Sequence, residues 1–489
     1  MKPLVPGPRS LFSRAERRLG AAPLPDLVTR VPSGDPLSGP GLLREIHGMA
    51  DRLSGAGIRR GARVLVALSN PLSMILALPA LWSLDCVPLL AHGSSSRAEI
   101  EELARRLGPD HLLGDGEGTR GASRTLPSPG LPLLRVGRLR GNGDLLLPPG
   151  TVLVRTTSGS TGPPRGVALD ASQVLSDALN ILSSLRVPGA LRGLAVVPLS
   201  HAFGFSTLLS PLLFHGQPLL LLEDPVPEQF RSALRRHRSL FFPGVPYLYD
   251  LLGRAEISPR ALGRLRMCIS AGAPLPRETA GRFRELSGSP VRNLYGTSEC
   301  GAVACDRSPR GTAPAGCAGR PLSGVKVSLT EAGRIVVRGK AVGLGYVESG
   351  ARPRLFRGRF LTEDLGRIDS RKRLHLLGRL DALISVGGRK VFPAEVERVL
   401  REAPGVKEVV AMGIPDASRG EAVAVAVESP SGAGLPAELL ERCRRRLAKY
   451  KVPRRLRSFP CLPRTARGKL DLGRIRTLLE GGPPPPRLR

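Results

Sequence analysis

The chemistry legible in this chain is concentrated in Thr156-Thr157-Ser158-Gly159-Ser160-Thr161-Gly162-Pro163-Pro164-Arg165-Gly166. Three glycines let the backbone turn so that several N–H groups face one point. Five hydroxyls add donors, and Arg165 adds a fixed cation. A short apolar strand, Thr151–Val154, precedes the stretch. A helix that Asp170 or Ser172 can cap follows it, with Val174, Leu175, Ala178, Leu179 and Leu182 as its apolar side. Strand, glycine loop and helix start together suit a polyphosphate. The pattern GxxxxGK[ST] is absent, so this is not the common P-loop.

The order of residues in this loop resembles the phosphate-binding signature of the adenylate-forming enzymes. That superfamily holds acyl- and aryl-CoA synthetases, peptide-synthetase adenylation domains and luciferase. Four more segments follow in the family's order. Asn293-Leu294-Tyr295-Gly296-Thr297-Ser298-Glu299 resembles its adenine and magnesium segment, and Leu361-Thr362-Glu363-Asp364-Leu365-Gly366-Arg367 its ribose segment. Gly378-Arg379-Leu380-Asp381, continuing through Val386-Gly387-Gly388 to Glu397, is similar to its hinge. Pro463-Arg464-Thr465-Ala466-Arg467-Gly468-Lys469 is similar to the segment with its catalytic lysine. The resemblance runs from about residue 40 to residue 475.

The resemblance implies a two-step ligase using ATP and Mg²⁺. Thr157, Ser158, Gly159, Ser160, Thr161, Gly162, Arg165 and Gly166 would cradle phosphates. Ala271, Gly272, Asn293, Tyr295 and Gly296 would bind the nucleotide, with the Tyr295 ring stacking on adenine. Thr297 would bond the α-phosphate and Glu299 would hold the metal, a job for a hard oxygen ligand. Asp364 would accept both ribose hydroxyls, since a carboxylate is acceptor-only, and Arg379 would bond ribose or phosphate. Lys469 would bridge the acid's carboxylate and the α-phosphate. Asp381 matches the hinge, and Gly387 and Gly388 match the strand that lets a pantetheine arm pass. Coenzyme A, or the phosphopantetheine of an acidic carrier protein, would take the acyl group.

Three positions depart from the family. Arg165 and Ser385 stand where lysine is usual, and Glu363 stands where glycine is usual. The acyl pocket would involve His201, Phe203, Phe205, Val245, Ala273 and Gly301. The resemblance to peptide-synthetase adenylation domains would put an Asp in this segment to hold an amino group. None occurs between 198 and 205, which argues against an α-amino acid. Phe203, Phe205, Val245, Ala273 and Gly301 suggest an apolar pocket for a fatty or aromatic acid.

These residues need a scaffold, and short apolar runs alternating with helical patterns supply one. Residues 41–53, 71–85 and 95–107 read as helices. Arg63–Leu68, Val87–Leu90, Leu194–Pro198, Leu219–Leu222, Leu240–Pro243 and Met267–Ser270 read as strands. The predicted class is α/β: a large N-terminal domain of layered sheets and helices over 1–379, with a small β unit in 316–347. A small hinged α+β domain is predicted over 380–475, with helices at 393–402 and 435–447 and strands at 407–413 and 421–428. Residues 476–489 read as a flexible tail.

Lys+Arg is 73 and Asp+Glu is 41 among 489 residues, a formal charge of +32. Nine of the 73 are lysines, leaving 64 arginines, which with 58 Gly and 47 Pro reads as GC-rich coding bias. Attraction to polyanions is the functional alternative. Between Arg442 and Arg457 there are nine Lys/Arg and no acid, a candidate docking patch for an acidic carrier protein. A catalytically silent scaffold with a basic surface is the rival of another class. Seven cysteines show no CxxC pair. No apolar run is long enough for a membrane span, and the basic start lacks the apolar core of a secretory signal. The chain therefore reads as a reduced cytoplasmic enzyme with a small-molecule acid, not a nucleic acid, as its partner. An Arg/Ser-rich transit peptide is the alternative for its start.

Overall fold

Apolar runs become strands here because both their faces are covered, as parallel sheets flanked by helices require. The computed structural model describes residues 7–119, 124–126, 131–139, 145–157, 164–308, 316–348, 352, 354–386, 389–416, 419–429, 435–464 and 470–481. The chain divides into two units. The first comprises Met1–Ser328, Val336–Phe360 and Asp369–Leu374; the second comprises Leu329–Ile335, Leu361–Ile368 and His375–Arg489. The second unit thus starts slightly ahead of residue 380 and draws in two earlier stretches, which a single cut along the chain does not express.

In the first unit, one nine-stranded sheet carries the two strands that flank the glycine-rich loop. Its neighbours run Arg354–Leu355, Gly345–Val347, Gly166–Asp170, Thr151–Thr156, Val87–Leu90, Arg63–Ala67, His111–Gly114, Leu134–Arg138 and Arg124–Leu126. The helix Pro71–Ser83 is apolar almost all round and buried from Leu72 to Trp82. Trp82 donates its indole N–H to Val152 O at 2.9 Å, tying that helix to the strand entering the loop. A second sheet in this unit places Leu265–Ser270 beside Val291–Thr297 in parallel, and Val291–Thr297 beside Gly301–Cys305 antiparallel.

The second unit shows period-two patterning. Strands Glu408–Asp416 and Gly420–Glu428 pair antiparallel. Val409, Ala411, Val423, Val425 and Val427 face one core with Val396, Val399, Leu400, Leu439 and Cys443 from two helices. Val410, Met412, Ile414, Ala422, Ala424 and Ala426 face another with Ile475, Leu478 and Leu479. Those last three belong to the helix Leu472–Glu480, which occupies the start of the stretch expected to be a tail. Burial of its apolar side is what holds this terminal helix. Residues 482–489 lie outside the described residues.

Six cysteines are buried and Cys461 is exposed; all are free thiols. Burial raises the thiols of Cys86 and Cys443 to about 11, so both pack as small neutral residues. No helix among the described residues is long and apolar enough to cross a membrane.

Burial also lowers the pKa of His111, His215 and His237. Below the ordinary imidazole value the unfolded chain then takes up protons that the fold resists. These three groups therefore lower stability as pH falls. We expect the thermal midpoint to drop between about pH 7 and about pH 5.5. A midpoint that rises over that interval would contradict the account.

Candidate active site

The loop is closed at its neck by two reciprocal contacts. Thr157 N–H donates to Arg165 O at 2.9 Å. Arg165 N–H donates to Thr157 Oγ1 at 3.1 Å. Below the neck, Thr151–Thr156 and Gly166–Asp170 form an antiparallel pair with Thr156 opposite Gly166. This return strand is absent from the sequence reading, which led straight from loop to helix. Asp170 does cap that helix, in a capping box with Gln173. Ser158, Gly159, Ser160, Thr161 and Gly162 lie outside the described residues.

Glu299 sits at a corner made by three separate segments. A bulge at Tyr295/Gly296 bends the strand Val291–Thr297. A Cβ on Gly296 would lie 2.5 Å from Gly301 O, so only glycine lets the returning strand approach. Thr297 Oγ1 accepts from Cys300 N–H at 3.2 Å and holds the intervening turn. Gly343 N–H donates to Glu299 O at 2.8 Å. The phenol of Tyr346 donates to Glu299 Oε1 at 2.7 Å. The Arg165 guanidinium lies over the Tyr346 ring, 5.1 Å from its centroid. Loop neck and carboxylate are thus joined through one aromatic side chain.

Tyr346 is a candidate residue that sequence reasoning missed. Its signal was slight, one tyrosine in the strand Gly345–Val347. Burial, and then the Glu299 charge, push its phenol well above the ordinary value, so it stays a donor. A hydrogen bond to a charged group contributes about 1.5–3 kcal/mol. Tyr346→Phe should therefore slow the adenylation that the resemblance implies about tenfold at saturating substrate. An unchanged pyrophosphate-exchange rate would remove Tyr346 from the site.

The remaining nucleotide candidates of the first unit differ in exposure. Ala271 is buried, Gly272 is exposed at φ +86°, and Asn293 and Tyr295 are half-buried on their strand. A Cβ on Gly272 would lie 3.8 Å from the half-buried Val245. Among the acyl candidates, His201 and Ala273 are exposed. His201 caps a short helix, with Nδ1 accepting from Phe203 N–H at 3.4 Å. Phe203 and Phe205 are buried, and Phe205 lies under the Arg155 guanidinium at 4.8 Å. Gly301 has φ +66° and faces the Asp177 carboxylate. A cavity of about 500 Å³ lined by Arg30, Asn70, Asp115 and Glu223 includes none of these candidates.

In the second unit, Thr362 braces the ribose candidate: its hydroxyl accepts from Asp364 N–H at 3.1 Å. Adjacent strand residues point to opposite faces. Glu363 accordingly accepts from Arg334 Nη2 at 2.9 Å, so its extra charge is paired. Arg379 is exposed, and Asp381 lies in a short 3-10 turn, Leu380–Ala382. Ser385 donates its N–H to the Glu421 carboxylate at 2.6 Å. Gly387, Gly388 and Lys469 lie outside the described residues. Arg464 and Leu470, on either side of the lysine segment, form an antiparallel bridge.

The basic run looks different once folded. Arg442 and Arg446 pair with Glu402, and Arg444 and Arg445 with Glu441. Lys451 pairs with Glu395 and Arg454 with Asp416. Arg455 and Arg457 donate to Leu479 O and Leu478 O. The acids lie outside the window counted along the chain, so the stretch presents less net charge than its sequence suggests.

The two units define a class of enzyme fold. The structure of the O-succinylbenzoate coenzyme A synthetase of Bacillus subtilis, in complex with ATP and magnesium ion, matches with a TM-score of 0.79 at 24% identity. It covers 96% of this chain and 99% of that one. At that identity the likeness is one of fold. By sequence, the chain is 31% identical over 473 residues to a feruloyl-CoA synthase of an Amycolatopsis species, covering 89% of this chain and 92% of that protein. It is 30% identical over 335 residues to a long-chain-fatty-acid–CoA ligase of Bacillus subtilis, covering 65% of this chain and 60% of that protein. The chain therefore spans three-fifths of that second relative. The pattern of an AMP-binding enzyme matches residues 23–347, and that of the AMP-binding enzyme C-terminal domain matches residues 395–469. The chain belongs to the AMP-binding enzyme family.

Proposed function

We propose that this enzyme activates a fatty or aromatic carboxylic acid with MgATP and passes the acyl group to coenzyme A. A carboxylate oxygen attacks the α-phosphorus and pyrophosphate leaves, giving the acyl-adenylate. The thiol sulfur then attacks the acyl carbon, AMP leaves and the thiol proton is released. The observation that carries this reading is the corner where Arg165, Tyr346 and Glu299 meet at the neck of the glycine loop. The CoA ligases among the relatives support the reaction class.

The donor set suits magnesium. No group of three His, Cys, Asp or Glu side chains among the described residues could enclose an ion. A lone carboxylate fits a cation that keeps its waters and shares phosphate oxygens. When bound, the ion would neutralise phosphate charge beside Glu299. Tyr346 orients that carboxylate, Thr297 faces the α-phosphate, and Arg165 adds positive charge at the neck. Lys469 draws the two anions together, and Asp364 and Arg379 hold the ribose. By the family resemblance, Gly387 and Gly388 would let the thiol arm pass, and Asp381 would serve as the hinge between half-reactions.

The test is pyrophosphate exchange with purified protein across a panel of fatty and aromatic acids. Acid-dependent exchange is expected, followed by a thioester on CoA. Exchange with no acid of either class would overturn the reading. Offering CoA and a carrier protein side by side, with mass-spectrometric detection, identifies the acceptor.

A further inference from the structure

A buried ion pair lies behind the site, and the reaction outlined above does not use it. Arg155, on the strand entering the loop, and Asp177, on the following helix, have side chains only 3% and 2% exposed and approach to 3.4 Å. Asp177 Oδ2 also accepts from the Ser206 hydroxyl, and Oδ1 accepts from Ala302 N–H at 2.9 Å. Arg155 Nη2 reaches Ser206 Oγ at 3.2 Å, and its guanidinium covers Phe205. One carboxylate therefore ties three segments: the loop strand, the wall segment around Phe205, and the strand after Glu299.

Stability alone is a poor reason for such a pair. Replacing a buried ion pair with apolar residues is often neutral or stabilising, whereas fixing register is its best-attested use. The Arg155 Nε is buried and makes no hydrogen bond among the described residues, so the pair is not optimised for energy. Ser206 lies in a π-helical stretch, Phe205–Leu209, a feature frequent at functional sites. Gly301 leaves the room needed: a Cβ there would sit 2.3 Å from the Asp177 carboxylate.

We propose that Asp177 and Arg155 are positioning residues that hold the Glu299 turn, the loop strand and the Phe205 wall in one register. MgATP and the acid then meet in attacking geometry. This rests on the proposed adenylation reading. A misregistered site still binds both substrates but aligns them badly, so its loss appears in kcat.

The decisive variant is the neutral double, Arg155→Gln with Asp177→Asn, which leaves no charge unpaired. Pyrophosphate exchange and thermal midpoint are measured together. We expect a midpoint near that of the parent, kcat lower by at least ~10-fold, and KM for ATP and acid within about twofold. A parent-like kcat would make the pair merely structural and overturn the proposal, as would a loss confined to KM. Should the double variant not fold, Ser206→Ala decides, because it removes one strut and leaves the charges paired. Lower kcat there supports the proposal, and unchanged kcat overturns it. Absence of exchange in the parent would instead overturn the adenylation reading, and this proposal with it.

Discussion

Replacing Lys469 with alanine should slow acyl-adenylate formation at least ~100-fold, as loss of one preorganised charged donor can. Thioester formation from supplied acyl-adenylate should stay within a few-fold of the parent. The asymmetry follows from where charge must be managed. The first half-reaction brings a carboxylate against a phosphate, and a cation between them lowers the barrier. The second offers a thiol to a neutral acyl carbon and has no such demand. The choice of lysine is itself informative in a chain with 73 − 9 = 64 arginines. A compact ammonium on a flexible stem reaches one point between two anions, whereas guanidinium favours a planar fork, so Lys469→Arg should rescue poorly. The flanks are well anchored. Leu462 is buried, Asp471 N–H donates to Pro463 O at 2.9 Å, and Asp471 caps the terminal helix. A substitution at 469 should therefore act on chemistry rather than on folding. Single-turnover measurement of each half-reaction is the check. Equal effects on both, or none on either, would remove the role given to this residue.

Glu299→Gln should reduce pyrophosphate exchange on the order of ~100-fold and raise the magnesium needed for half-maximal rate. The substitution keeps size and one carbonyl oxygen. That oxygen can still accept from Tyr346, so the hydrogen bond survives and only the charge is lost. Comparison with Tyr346→Phe then separates two contributions at one corner, the charge proposed to meet the metal and the hydroxyl that orients the carboxylate. Residues in contact couple, so the two effects should not simply add. A magnesium titration with an unchanged midpoint would take the metal away from Glu299, whatever happened to the rate.

Much of the architecture was legible because burial on both faces leaves a strong local signal. Val87–Leu90 and Leu219–Leu222 are bounded as their apolar runs predict. The return strand Gly166–Asp170 was not legible, since its pairing with Thr151–Thr156 is a contact across the loop that no local pattern announces. Ordered motifs marked Glu299 and Asp364 as candidates, but Tyr346 reaches Glu299 from another strand, and only the fold brings the two together. The same limit applies to charge. Counting along 442–457 finds no acid, yet Glu395, Glu402 and Asp416 arrive from elsewhere in their unit. Conversely, Glu363, which stands where the family usually has glycine, adds a charge that its strand face pairs with Arg334.

The contact between Gly301 and Asp177 also bears on how this enzyme could diversify. Elsewhere in a substrate wall, adding or trimming a side chain resizes the space. Position 301 is closed to that route, because any side chain there would collide with the Asp177 carboxylate and would also have to tolerate φ +66°. If the proposed acyl pocket holds, descendants that take up a different acid would change at its other positions. Residue 301 should remain fixed through such shifts, recording the scaffold's history rather than the substrate's.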